Sequence, residues 1–276
     1  MPVSPISNEI NDYLAGVMHA GSCGDTPSDR IPDTLPVDPA VSAVLFLLAP
    51  GCGETNAGPC LVLNKRSQRV RQPGDLCCPG GSVSPRLDRL LAAGLTVPGA
   101  PLARWPYWRM WQKRHPERTR ALSLLLATAL RESLEEMRLN PLGVQFIGPL
   151  PPRSLAMFRR HIYPLAAWVP RQRRFFPNWE VERIVRIPLQ HLLDPERYAR
   201  YRIRFASGMR NRPGPQVMDF PCFVHDTGDR RDILWGATFR IVQAFLEEMF
   251  RFRTPDAETL SVVTGHLDRR YTAGSR

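Results

Sequence analysis

The 276-residue sequence is short of several things, and each shortage excludes something. It has no run of about 18 apolar residues, so no membrane-spanning helix is expected. Its first residues, MPVSPISNEINDYL, lack a basic region followed by an apolar stretch, so no signal peptide is expected. The six cysteines (Cys23, Cys52, Cys60, Cys77, Cys78 and Cys222) form no CxxC pair and no Cys/His spacing suited to zinc. Cys77 and Cys78 are adjacent, a poor arrangement for bridging. This usage predicts a reducing, cytoplasmic setting. The histidines show no nucleophile-triad logic, and no internal repeat is visible. Acidic residues are outnumbered 26 to 37, leaving a net charge of +11. That balance favours a polyanionic partner: nucleic acid, an anionic membrane surface or a phosphorylated small molecule. No block of like charges resembles a basic tail.

What is present reads as a folded α/β chain. Residues 7–19 have helical spacing with Ser7 as a cap, and 21–40 read as a Gly/Ser/Asp/Pro linker. The core is expected to begin near Val41. Ser42–Leu48 and Cys60–Asn64 are apolar runs of strand length on either side of a Gly-rich turn. Residues 66–81 hold too much Pro and Gly for a helix. The strand pattern returns at 144–150, 162–169 and 183–189, and 234–250 has helical spacing. Residues 253–276 read as a tail.

Residues 121–137 form the strongest helical pattern and carry Arg131-Glu132-Ser133-Leu134-Glu135-Glu136. At about 100° per residue, Glu132, Glu135 and Glu136 share one face. Ala127, Leu130, Leu134 and Met137 fall on the other. Three clustered carboxylates repel one another, and a hard divalent cation would relieve them. The alternative is a solvated acidic patch paired with Arg131 and Arg138.

Upstream lies Cys78-Pro79-Gly80-Gly81, and with the acidic helix the sequence resembles the Nudix hydrolases. Their signature runs Gly, five residues, Glu, seven residues, Arg-Glu-(apolar)-x-Glu-Glu-x-Gly-(apolar). This chain supplies Gly81, Arg131, Glu132, Glu135, Glu136 and Leu139. The stretch LVLNKRSQRVRQPGDLCCPGG at 61–81 is similar to the coenzyme A pyrophosphatase branch. Further likeness at 127–136, 162–169, 175–198 and 234–246 extends it over about residues 42–250. The departures are an extra segment of about thirty-five residues between Gly81 and the helix, Ser123 eight residues before Arg131 where the first signature Glu is expected, Arg138 in place of the signature Gly, Cys78 for Phe, and a spacing one residue short between Ser67 and Gly74.

The resemblance implies a Nudix-type α-β-α sandwich with a mixed sheet, spanning 41–252 and interrupted by an insertion at 82–120. It implies Mg²⁺ or Mn²⁺ held by Glu132, Glu135, Glu136 and a backbone carbonyl of Gly80 or Gly81. Glu132 is a further ligand or positions the attacking water, and Arg131 orients the acids. Glu180 is a general base or an added ligand, with a surface loop Glu as the alternative. Arg66, Arg69, Arg71 and Gly81 are candidates for substrate phosphates; Arg159, Arg160 and His161 read more simply as a solvated basic loop. The implied activity is cleavage of a pyrophosphate bond in a nucleoside diphosphate derivative, with coenzyme A or acyl-CoA first. The rival is a catalytically weak module that binds a nucleotide or nucleic acid in a regulatory role. A small phosphorylated substrate is expected rather than nucleic acid; the oligomeric state is open.

The insertion holds Trp105, Tyr107, Trp108 and Trp111 among eight Lys/Arg and two acids. It reads as a packed subdomain over the site, a membrane- or partner-binding face, or an aromatic platform for nucleic acid. The first is preferred, with the segment forming a wall of the substrate pocket.

Overall fold

The computed structural model describes residues 14, 16, 27–36, 40–51, 58–155, 160–206, 216–268 and 270–273. Most of the expected helix at 7–19 lies outside these residues, as do Cys23, Cys52 and Arg159. Among the described residues Cys60, Cys77, Cys78 and Cys222 form no disulfide. Among the described residues no helix is long and apolar enough to cross a membrane.

Strand β1 (Ala40–Ala49) is the centre of the fold. It is apolar throughout because both of its faces are covered. It pairs antiparallel with β2 (Cys60–Arg66) and parallel with β7 (Arg160–Trp168). The main sheet runs β3 (Leu76–Cys77), β2, β1, β7, β5 (Gln145–Pro149), with β4 (Gly80–Ser82) on β1, β6 (Arg153–Leu155) on β7 and β8 (Val181–Pro188) on β2. It is therefore a mixed sheet, and β8 leads into a short helix, α4 (Leu189–Leu192).

Alternation along β1 builds a layer on each side. Ala43, Leu45 and Leu47 point into a core shared with the long helix α3 (Pro116–Met137). Phe46 and Leu48 point into a second core under α5 (Gly236–Phe250), where Phe46 stacks on Phe245 at 4.2 Å. The chain is an α/β protein with its sheet between helices, the architecture expected. The acidic helix begins five residues earlier than its periodicity indicates, because Pro116 is tolerated in the first turn.

The insertion folds as α1 (Pro85–Gly94) and α2 (Trp108–Arg114). Trp105, Trp108 and Trp111 are buried in the α3-side core, and the Trp105 indole donates to the Ile147 carbonyl at 2.9 Å. The tryptophans are thus packed inward, while the same insertion meets the acidic end of the long helix through Asp88, which accepts from Arg131. The tryptophans serve the core near the start of α3, and the sixteen residues from Pro116 to Glu132 span about 24 Å of helix. Their burial excludes a platform of exposed tryptophans here.

A second sheet went unread in the sequence: β11 (Arg231–Trp235), β10 (Val217–Asp226), β9 (Tyr198–Phe205) and β12 (Val262–Leu267), in that order. Its period-two signal in YARYRIRF is diluted by three arginines. Residues 253–276 are accordingly not a mere tail. Strand β12 pairs parallel with β9, Gly265 leaves room for the Tyr201 ring, and Tyr271 of α6 (Arg270–Ala273) is buried. Residues 1–40 are likewise not all linker: Ile31 is buried and Arg30 pairs with Glu248 at 2.9 Å.

Candidate metal-binding and hydrolytic site

The last two turns of α3 carry the acids, and three neighbours close around them. Strand β4 lies on one side, held antiparallel to β1 with Gly80 opposite Val44. The end of β2 brings Asn64 and Arg66. The strap before β8 docks on the end of α3: Phe176 N–H donates to Met137 O at 3.0 Å and Asn178 N–H to Glu136 O at 2.8 Å. These bonds satisfy carbonyls that the helix end leaves unpaired. Asn178 then accepts from Glu180 N–H at 2.8 Å, and the Glu180 carbonyl accepts from Ser67 N–H at 2.8 Å. The Glu180 backbone is thereby fixed beside the helix.

Glu136 is the most enclosed of the acids. Its Oε2 accepts from Gly80 N–H at 3.0 Å and from Asn64 Nδ2 at 2.9 Å. Both donors are neutral. Burial pushes this carboxyl up to about 8; the Gly80 bond and Arg66 pull it down, while Glu132 and Glu180 push it further up. Burial also raises Glu132, moderated by Arg131 and reinforced by Glu135 and Glu180. Glu135 is exposed and leans on Arg131 at 3.3 Å. The four acids are thus brought to one region, with unequal environments.

The glycines have distinct reasons. Gly80 has φ +141, and a Cβ there would lie 2.4 Å from the Ala43 carbonyl. At Gly81 a Cβ would meet the Glu132 carboxylate at 2.5–2.7 Å, so the backbone passes directly against that acid. It is the Gly80 amide, rather than its carbonyl, that contacts Glu136.

Arg131 sits at the hub. Its guanidinium meets Glu132 at 3.0 Å, Glu135 at 3.3 Å and the Ser82 carbonyl at 3.1 Å. Its Nε donates to Asp88 at 2.7 Å. Asp88 is fully buried and also accepts from Thr128 Oγ1 at 2.6 Å and Ser84 N–H at 2.7 Å. Burial alone would raise this carboxyl, but the Arg131, Thr128 and Ser84 bonds outweigh it and hold it low. Counting back from Arg131 reached Ser123 and hid this acid. Counting forward from Gly81 reaches Leu87 and, one further, Asp88.

Asn64 was also missed; its signal is a lone amide ending the buried run CLVLN. Its Oδ1 is buried with no hydrogen-bond partner. Leu134, assigned to the core face, is 46% exposed, and Ser133 and Glu136 point inward instead. The sheet and strap approach this end of α3 from that side. Arg138, at the signature Gly position, caps α3 in the left-handed region with φ +53.

Of the basic candidates, Arg66 lies nearest the acids: it acts on the Glu136 and Cys77 titrations and donates to the Arg71 carbonyl at 2.7 Å. Arg69 and Arg71 are exposed on the 67–75 loop. That loop is tied down by the C-terminal segment: Gln72 N–H donates to the Tyr271 carbonyl at 2.8 Å, and Tyr271 Oη and Trp235 Nε1 donate to Asp75 at 2.6 and 3.0 Å. Arg160 donates to Ser42 Oγ and His161 contacts Ser154, which places them on β7 as structural partners. A cavity of about 360 Å³ between the 140–145 turn and Pro170–Gln172 is lined by none of the acids.

Among the described residues no three His, Cys, Asp or Glu side chains form a tight preformed metal cluster. The donor set still suits a hard cation that keeps waters and shares ligands with a phosphate. Two carboxylates are desolvated, Glu136 is met only by neutral donors, and an orphaned amide oxygen lies alongside.

No protein family and no curated protein matches this sequence. Solved structures similar to it include a Nudix hydrolase from Nitrosomonas europaea, at 13% identity and TM-score 0.40, covering 85% of this chain and 81% of that one. A Nudix hydrolase from M. smegmatis, RenU, is similar at 13% identity and TM-score 0.34, over 55% and 73% of the two chains. A C. elegans Ap4A hydrolase binary complex is similar at 14% identity and TM-score 0.34, over 56% and 83%.

Proposed function

We propose that this chain is a Nudix-type hydrolase that cleaves the pyrophosphate bond of a nucleoside diphosphate derivative with Mg²⁺ or Mn²⁺. The observation that carries the reading is Glu136: a buried carboxylate met by a glycine amide and an asparagine, facing two further acids. When bound, the metal would neutralise phosphate oxygens and make a water acidic enough to attack. Glu136 and Glu132 would hold it, with Glu135 as the solvent-side ligand. Glu180, whose backbone is held through Asn178 and Ser67, would take the proton of the attacking water. Arg66 would meet a substrate phosphate, by charge-assisted hydrogen bonds. Arg131 is a positioning residue that sets Glu132 and Glu135 through its hold on Asp88.

Coenzyme A or an acyl derivative is the substrate put first, on the likeness at residues 61–81; the products would then be phosphopantetheine and 3′,5′-ADP. The second reading, a weak module binding a nucleotide or nucleic acid, draws on Ser123 standing eight residues before Arg131 and on the basic insertion. Product release from coenzyme A, acetyl-CoA, ADP-ribose and diadenosine tetraphosphate, with Mg²⁺, Mn²⁺ or EDTA, separates the two. Metal-dependent turnover with coenzyme A foremost supports the first. Binding without turnover of any compound replaces it with the second.

A further inference from the structure

Helix α1 is inside out. A helix on a folded domain normally turns its apolar stripe to the core. In α1 the only buried residue is Asp88, while Leu87, Leu90 and Leu91 are 45%, 73% and 40% exposed. Their spacing, i, i+3 and i+4, places all three on one face. Val97, just past the helix end, is 52% exposed. Single exposed leucines are ordinary, but a continuous apolar stripe on an otherwise charged surface calls for a partner. The helix cannot simply roll over to hide it, because Asp88 is clamped by Arg131, Thr128 and the Ser84 amide.

Charge decides which partner. Arg86 and Arg89 are exposed along the edge of the stripe, and the one acid of the helix is buried and neutralised by Arg131. The outward face of α1 is therefore leucine bordered by arginine with no exposed acid. A second copy would bring two such basic faces together within a chain already at +11. An anionic bilayer offers both phases at once: acyl chains for the leucines and headgroup charge for the arginines. The helix is ten residues, about 15 Å, which suits lying in the interface and not crossing it.

We infer that the outer face of α1 is a peripheral docking surface for an anionic membrane. The same clamp that exposes the leucines ties α1 to the acidic end of α3, so docking brings that site to the bilayer surface. The inference stands apart from the hydrolase reading, because membrane partition is measured without turnover.

The test is co-sedimentation of the full chain with phosphatidylcholine vesicles containing about one fifth phosphatidylserine, at about 0.1 M salt. Wild type should sediment with them and partition at least about tenfold less onto pure phosphatidylcholine, since each arginine at an anionic leaflet is worth about fivefold. Leu87→Gln/Leu90→Gln/Leu91→Gln and Arg86→Glu/Arg89→Glu should each lose at least about tenfold, with thermal unfolding unchanged because these side chains face water. Failure of wild type to bind, or equal binding by either variant, overturns the inference. So does a dimer that falls to monomer with Leu90→Glu, which would give the face to a second copy.

Discussion

Asp88 and Arg131 meet at 2.7 Å, and through that contact a helix of the insertion orients the guanidinium that holds Glu132 and Glu135. Removing Asp88 takes the shared acceptor from Arg131 Nε, Thr128 and the Ser84 amide, while Arg131 keeps Glu132 and Glu135, so the cost should fall below that of an uncompensated buried charge, at about 2 kcal/mol. Asp88→Ala should lower stability in urea by about that much, and Asp88→Glu should recover part of it. In the folded fraction, Arg131 is released and kcat should fall more than KM rises. A stability change below about 1 kcal/mol would show the clamp to be a surface pair.

Glu136 and Glu135 are expected to differ, although the signature treats them alike. Glu136→Gln keeps the shape of the buried carboxyl but lacks its charge, so kcat should drop at least about a hundredfold with the fold intact. Glu135 is exposed, and its Gln variant should lose less and recover at high metal concentration. Near-wild-type turnover by Glu136→Gln at saturating metal would remove this site as the metal centre.

Gly81→Ala puts a methyl where the Glu132 carboxylate lies. The flexible end of Glu132 can move aside, so folding should survive while kcat falls at least about tenfold from a misplaced ligand. Gly80→Ala meets backbone at 2.4 Å with φ +141 and should instead destabilise the protein. Comparing melting temperature with kcat for the two variants checks the division; equal loss of stability in both would contradict it.

Arg138→Gly should stabilise. Arg138 holds φ +53 at the end of α3, where a residue with a Cβ pays roughly 1 kcal/mol and glycine does not. Denaturant midpoints of the two proteins measure it, and an unchanged or lower midpoint would mean the arginine side chain offsets its own strain.

Asp75 should make stability depend on pH. Burial raises this carboxyl from 3.8 to about 6, against the Tyr271 and Trp235 hydrogen bonds and Arg66, which lower it. A raised carboxyl favours the folded state fully below its unfolded value and loses that contribution as pH rises through its folded one. Between pH of about 4 and 7, wild type should therefore lose stability relative to Asp75→Asn. Urea unfolding of both proteins across that range reads the difference; a gap that stays constant would sink the assignment.

By itself, the sequence determined the elements whose signal is local. The apolar runs of β1 and β2 and the amphipathic acidic helix all follow from periodicity within a few residues, whereas Gly80 and Gly81, read as loop, lie in strand β4. That Glu132, Glu135 and Glu136 share a helix face follows from periodicity in the same way; their choice as metal ligands, with Gly81 at the substrate, is what the Nudix resemblance implies. Tertiary structure decided whatever depends on residues far apart. Asp88 reaches Arg131 across 43 positions and Asn64 reaches Glu136 across 72. Neither distance shows in spacing. It also decided which acid is buried, because the strap at 175–180 and strand β4 close over Glu136 and leave Glu135 in water. The second sheet stayed hidden because its apolar face is completed only when β12 returns from the C-terminus to pair with β9. The insertion was legible as aromatic and basic, but only packing could sort it: the tryptophans turn inward to fill the core, while the leucines of α1 are held outward because the buried ion pair of Asp88 fixes which side of the helix faces in.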